Sequence, residues 1–181
     1  MTRQEALELV KSNVKNKNLV KHMIATEACM RGLANHFGED EDLWGLTGLL
    51  HDVDYDQTAK DFPKHGILGA QMLEELGVDE RIVYAVKAHP GHVEAKSLMD
   101  KALFAVDPLT GLIVAATLMH PTKKLENVDT QFVLNRFKEK RFAAGADRDT
   151  IRKCDELGLS LEEFITISLE AMKGVADELG L

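Results

Sequence analysis

Cysteine is nearly missing from this chain: Cys29 and Cys154 stand far apart and form no CxxC pair. Two isolated thiols fit a reducing, cytoplasmic setting in which both stay free. Long uncharged runs are missing as well. No stretch approaches the roughly 18 apolar residues that mark a membrane span, so no membrane association is expected. The opening residues, Met1 to Glu5, lack the apolar region of a signal peptide. There is no basic excess either. A net charge of −8 argues against a broad nucleic-acid surface. It leaves room for a small phosphorylated substrate, because a bound metal ion can offset the local repulsion. The sequence has no GxxxxGKS/T phosphate loop, no alternating strand pattern of useful length and no internal repeat. It also lacks a linker rich in Pro, Gly or Ser.

What is present reads almost wholly as helix. The 181 residues amount to about one domain, 1–181, able to bury roughly 70% of its unfolded surface. A first amphipathic helix is predicted over 3–14, capped by Thr2. The second runs over 19–37 with Asn18 as its cap and Gly38 as its stop. A third covers 42–51. An acidic stretch with Asp54, Asp56, Asp61 and Pro63 follows, as a loop or a single helical turn. Further helices are predicted over 64–76, over 80–89 with Asp79 as cap, and over 99–119 with an interruption at Asp107-Pro108. Three more follow, over 130–140, 148–157 and 161–179, the last opened by a Ser160/Glu163 capping box. The fold class is all-α, a helical bundle with additional C-terminal helices.

Ionisable residues recur on these helices where apolar ones are expected. His65 shares a predicted face with Leu68, Gly69, Met72 and Leu76, and His89 shares one with Ile82 and Val86. A satisfied core histidine is an open alternative for each. Asp107 lies on a stripe with Leu103, Phe104, Val114 and Leu118 if the helix continues through Pro108. An ionised carboxylate there costs several kcal/mol, on the order of the usual burial penalty, unless it is paired. The local alternative makes Asp107 an N-cap with Pro108 at the first helical position. His22 borders the apolar stripe of the second helix, and His51-Asp52 closes the third. One metal centre would satisfy all of these groups together. His36 and His120 have no place in this pattern and read as surface residues. Trp44 and the methionines read as core.

His22, then Leu49-Leu50-His51-Asp52, His65-Gly66-Ile67-Leu68-Gly69-Ala70, Ala88-His89 and Ala105-Val106-Asp107 follow one order. That order resembles the HDIG type of the HD-domain superfamily of metal-dependent phosphohydrolases, over an HD core of about 18–120. The segment 128–181 is then a C-terminal extension that could cover the site, narrow substrate choice or form a homodimer face. The resemblance implies one divalent metal (Mn, Fe, Co, Ni or Zn) on His22, His51, Asp52 and Asp107. In binuclear members a second metal uses the bridging aspartate, the next histidine and a His-His pair, which map onto Asp52, His65 and His89. Pro90 replaces the second histidine of that pair, and His92 is the nearby candidate substitute. Asp54 replaces the motif's glycine and could be a general acid, an orienting group or a helix-end residue. With Asp52 it completes the expected catalytic pair. The implied reaction is hydrolysis of a nucleotide, phosphomonoester or phosphodiester by a metal-activated water. Two alternatives stand beside it: a two-iron oxygenase of the same superfamily, and a non-catalytic metal-binding regulatory module.

Overall fold

The structure, a computed structural model, describes all 181 residues. Every regular element in it is helical. Helix α1 (Arg3–Asn13) opens with a Thr2/Glu5 capping box. Helix α2 (Lys17–Phe37) begins two residues before the predicted start. Asn16 rather than Asn18 is its cap, because the Asn16 side chain accepts from the Asn18 amide. Gly38 closes α2 at φ 70°, a left-handed conformation that needs no Cβ. The chain then reverses into α3 (Glu41–Leu50), capped by Asp40. A Cβ on Gly48 would stand 2.7 Å from the Thr26 carbonyl oxygen, so glycine there permits the close α2–α3 packing.

Four boundaries differ from the sequence pattern in ways that bear on the site. The expected helix over 64–76 is α5 (Ile67–Glu75), so His65 lies ahead of it in extended backbone. Its inward position comes from the turn through Gly66 and not from a helical face; Leu76, placed on the same face, is exposed. Helix α7 (Leu98–Met119) runs through Pro108 without interruption, so Asp107 is not an N-cap. Proline there removes one helical N–H, a penalty of about 3 kcal/mol in an unsupported helix. The dense packing of α7 outweighs it. The expected helix over 148–157 divides into α9 (Arg148–Arg152) and a 3-10 turn over Lys153–Leu157. The last predicted helix breaks at Gly174-Val175 into α10 (Leu161–Lys173) and α11 (Ala176–Leu179). Between these lie α4 (Tyr55–Thr58), α6 (Glu80–Ala88) and α8 (Thr130–Lys138).

Helix α7 is the axis of the molecule. By length and composition it could cross a membrane. Here its apolar surface packs against α2, α3, α6, α8, α9 and α10. The buried cluster extends from Ala6 in α1 to Leu179 in α11, with Met23, Met30, Leu103, Leu109 and Phe164 among its fully buried members. Trp44 belongs to it, as its sequence context predicted. Helices α2, α3, α6 and α7 each deliver an ionisable side chain to one end of this apolar mass, and that convergence forms the site.

Candidate metal centre

Asp52 stands at the middle of the site, immediately after α3, and its two carboxylate oxygens face opposite ways. On one side, Oδ2 lies 3.4 Å from His51 Nε2 and 3.6 Å from His22 Nε2. Asp107 Oδ1 completes this half at 3.1 Å from His22 Nε2 and 3.6 Å from His51 Nε2. On the other side, Oδ1 lies 3.2 Å from His65 Nε2 and 3.3 Å from His89 Nε2. Donors about 2.1 Å from a shared ion, at tetrahedral to octahedral angles, stand roughly 3.0–3.4 Å apart. The observed separations are of that order. The structure thus brings together His22, His51, Asp52, His65, His89 and Asp107. It leaves out His92, whose Nε2 lies 3.1 Å from the Phe62 carbonyl oxygen on the surface.

The hydrogen bonds behind the rings decide which nitrogen faces inward. His51 Nδ1 donates to the Gly48 carbonyl at 2.8 Å, and His89 Nδ1 donates to the Val86 carbonyl at 2.6 Å. A carbonyl only accepts, so each of these rings carries its proton on Nδ1 and turns the Nε2 lone pair to the centre. The Thr110 hydroxyl donates to the Asp107 carbonyl, which leaves its oxygen to accept from His22 Nδ1 at 2.9 Å. His65 Nδ1 donates to Asp54 Oδ1 at 2.9 Å. Two pairs of lone pairs then confront each other: His22 and His51 Nε2 at 3.1 Å, and His65 and His89 Nε2 at 3.1 Å. Such pairs repel unless a cation or a proton lies between them. The donor set therefore fits a divalent transition metal on each side of Asp52.

Asp54 explains the His-Gly-x-x-Gly segment. Its Oδ2 accepts from the Gly66 and Gly69 amides, both at 2.8 Å, while Oδ1 holds His65. Gly66 adopts φ 76°, and a Cβ there would meet Pro90 at 2.7 Å. A Cβ on Gly69 would press on the Asp54 carboxylate at 3.3 Å. The two glycines thus let the start of α5 close over Asp54, and Pro90 packs where the turn passes closest. The Asp54 side chain is fully buried with both oxygens engaged, so the expected catalytic use as a general acid does not fit. Its place is behind His65, as the orienting group.

Electrostatics follow from burial and proximity. Burial alone would lower the pKa of His51, but the charge of Asp52 and bonds to Asp107 and Asp52 raise it well above its ordinary value. Burial also works against the charge on His65, yet its bonds to Asp52 and Asp54 raise it to about 9. Burial would raise Asp52 and Asp107, and the surrounding imidazoles hold both below the usual carboxylate range instead. In the absence of metal, protons on the imidazoles supply the positive charge. His51 is completely buried, whereas the His22 and Asp107 side chains keep 22% and 30% of their exposure, so the centre opens on their side.

A cavity of about 370 Å³ leads to the centre past Asp52, Asp107, Tyr55, Phe62, Phe104 and Asp147. The sequence did not point to Thr110, to Asp147 or to Thr58, whose hydroxyl lies 3.2 Å from His65 Nδ1. Thr110 sits one helical turn from Asp107, a spacing that allows its hydroxyl to reach the Asp107 carbonyl, but nothing local in the sequence joins it to His22.

Residues 19–129 match the HD domain family. The chain belongs to that family. The HD domain spans helices α2 to α7, and with them every candidate ligand described above. Among curated relatives, ribonuclease Y of Sulfurovum is 26% identical over 165 residues, 90% of this chain and 32% of the relative. Ribonuclease Y of Desulfotalea psychrophila is also 26% identical, over 168 residues, with the same coverages of 90% and 32%. An uncharacterized protein of Methanocaldococcus jannaschii is 33% identical over 93 residues, 49% of this chain and 53% of the relative. The chain spans about a third of the length of the ribonuclease Y proteins it matches. No solved structure matches it.

Proposed function

We propose that this HD domain is a metal-dependent phosphohydrolase acting on a small phosphorylated molecule. The observation that carries this assignment is the bridging position of Asp52, with one oxygen toward His22 and His51 and the other toward His65 and His89. His22, His51, Asp107 and Asp52 Oδ2 would hold one divalent ion, and His65, His89 and Asp52 Oδ1 a second. Ions there supply a water with pKa near neutrality and positive charge for the phosphoryl oxygens. Asp52 would bridge the two ions or, with a single ion bound, orient the attacking water. Asp54 and Thr110 keep the rings of His65 and His22 in the binding tautomer. Tyr55, Phe62 and Phe104 line the approach with aromatic faces, of which Tyr55 and Phe62 are exposed to solvent.

The relatives named ribonuclease Y raise an RNA phosphodiester as a substrate. Against RNA stand the net charge of −8 and the absence of any Lys or Arg from the lining of the cavity. A small ester in a cytoplasmic setting is favoured, in keeping with the two buried free cysteines. The test is elemental analysis of the purified protein followed by a phosphate-release screen across nucleotides and simple esters with Mn, Fe, Co, Ni and Zn. Turnover lost in Asp52→Ala with the fold retained supports the assignment. A metal-loaded protein inert to every ester would end it. The nitrogen–carboxylate donor set also suits iron, which favours a two-iron oxygenase as the second reading. Bound iron with an optical change on exposure to oxygen would select that one.

A further inference from the structure

We propose that Asp147, on the connection from α8 to α9, is a charge filter that admits esters whose leaving group carries no further negative charge. The inference rests on the assignment of the centre to phosphate esters. It concerns a residue outside the segment 19–129 matched to the family.

The cavity that leads to the centre carries three carboxylates, Asp52, Asp107 and Asp147. The first two face imidazoles and are suited to a metal. Asp147 is exposed and makes no salt bridge; as the N-cap of α9 its Oδ1 accepts the Thr150 amide at 2.9 Å. That bond holds its carboxyl below the ordinary range, so it is ionised at neutral pH. The neighbouring guanidinium groups are committed elsewhere. Arg148 donates to the carbonyls of Phe137 at 3.1 Å, Ala143 at 3.0 Å and Ala146 at 2.7 Å. Arg152 pairs with Asp149 and lies over the Phe137 ring. The bonds of Arg148 order the chain beside Asp147, and the Thr150 amide orients its carboxylate.

A phosphoryl group beside Asp52 meets the positive charge of the metals. A second anionic group in the same cavity meets the aromatic faces of Tyr55, Phe62 and Phe104 and the Asp147 carboxylate, to which no cation is bonded. No Lys or Arg lines that path. Two like charges about 4 Å apart in water lower affinity roughly fivefold. The same charge is without effect on a leaving group that is neutral, and the aromatic walls suit one with an apolar face.

The experiment uses the full chain loaded with Mn and two probes, phenyl phosphate and para-phenylene bisphosphate, with binding read by calorimetry and turnover by phosphate release. Asp147→Ser removes the charge and retains a side chain able to cap α9. Asp147→Lys reverses the charge. The expected result is a gain of about fivefold in affinity for the bisphosphate in Asp147→Ser, larger in Asp147→Lys. Phenyl phosphate should stay within about twofold. The gain should shrink toward 1 M salt, where the screening length falls to about 3 Å. Parallel changes for both probes, or none for either, would overturn the filter. Failure of the wild type to bind either probe would overturn both the filter and the phosphate assignment. Discrimination in binding with no turnover would sink the hydrolase alone.

Discussion

Asp54 grips the ring of His65 from behind: Oδ1 lies 2.9 Å from Nδ1, while Nε2 of the same ring faces Asp52 at 3.2 Å. Asp54 therefore acts on the centre through His65 alone. Asp54→Ala should weaken metal binding on the His65–His89 side by about 10–100-fold, as loss of such an orienting carboxylate typically does. The His22–His51 side should change little. Metal titration followed by elemental analysis distinguishes the two halves, and an equal loss on both would contradict an action of Asp54 through His65 alone.

Asp107 belongs to the other half. Metal present at about 100 times its dissociation constant stabilises a folded protein by about 2.7 kcal/mol. For a chain of this length that corresponds to roughly 5–10 °C in melting temperature. Asp107→Ala should lose most of that metal-dependent shift, because metal affinity is part of the folding free energy. Thermal melts with and without metal measure it, and an unchanged shift would remove Asp107 from the ligand set.

His92 stands apart from both halves. It is tied to the Phe62 carbonyl and packs against the Phe62 ring. His92→Ala should leave metal stoichiometry unchanged and alter stability by about 0.5 kcal/mol or less, as surface changes usually do. Loss of one metal equivalent in that variant would restore His92 as a ligand.

Metal binding should release protons. His65, raised to about 9 without metal, and His51, raised well above its ordinary value, hold protons at neutral pH that a metal must displace. Affinity should therefore rise with pH from 7 toward 9. Calorimetry in buffers of different ionisation enthalpy counts the released protons directly, and a pH-independent affinity over that range would rule the displacement out.

The two cysteines should be inert in the folded state. Burial pushes Cys29 up to about 12 and Cys154 to about 11, so neither offers appreciable thiolate near neutral pH. A colorimetric thiol reagent should find no reactive group in native protein at pH 8 and both after denaturation.

The all-helical class was legible because it depends on local signals. Apolar residues recurring at helical spacing, the Thr2 and Ser160 capping boxes and the Gly38 stop act over a few residues. The candidate ligands stood out for a related reason, since a buried imidazole or carboxylate is costly and needs a partner, although His65 was assigned to a helical face and in fact precedes α5. Asp107 is a partial case: of the stripe expected around it on α7 only Leu103 is fully buried and Leu118 is exposed, and the continuity of the helix through Pro108 could not be read. That continuity was decided by packing from other helices against both sides of the proline, which no local propensity encodes.

From residue order alone came the helical class, the ionisable residues out of keeping with their apolar faces, and the kinship of the His-Asp series. Tertiary packing alone decided that Asp52 bridges two halves, that Asp54 reaches the Gly66 and Gly69 amides, that Thr110 backs His22, and that Asp147 arrives from the far end of the chain to stand in the same cavity. The division has a plain physical basis. Propensity and capping extend over one or two turns, whereas a metal centre is assembled from distances of a few ångströms between residues that only the folded core holds together.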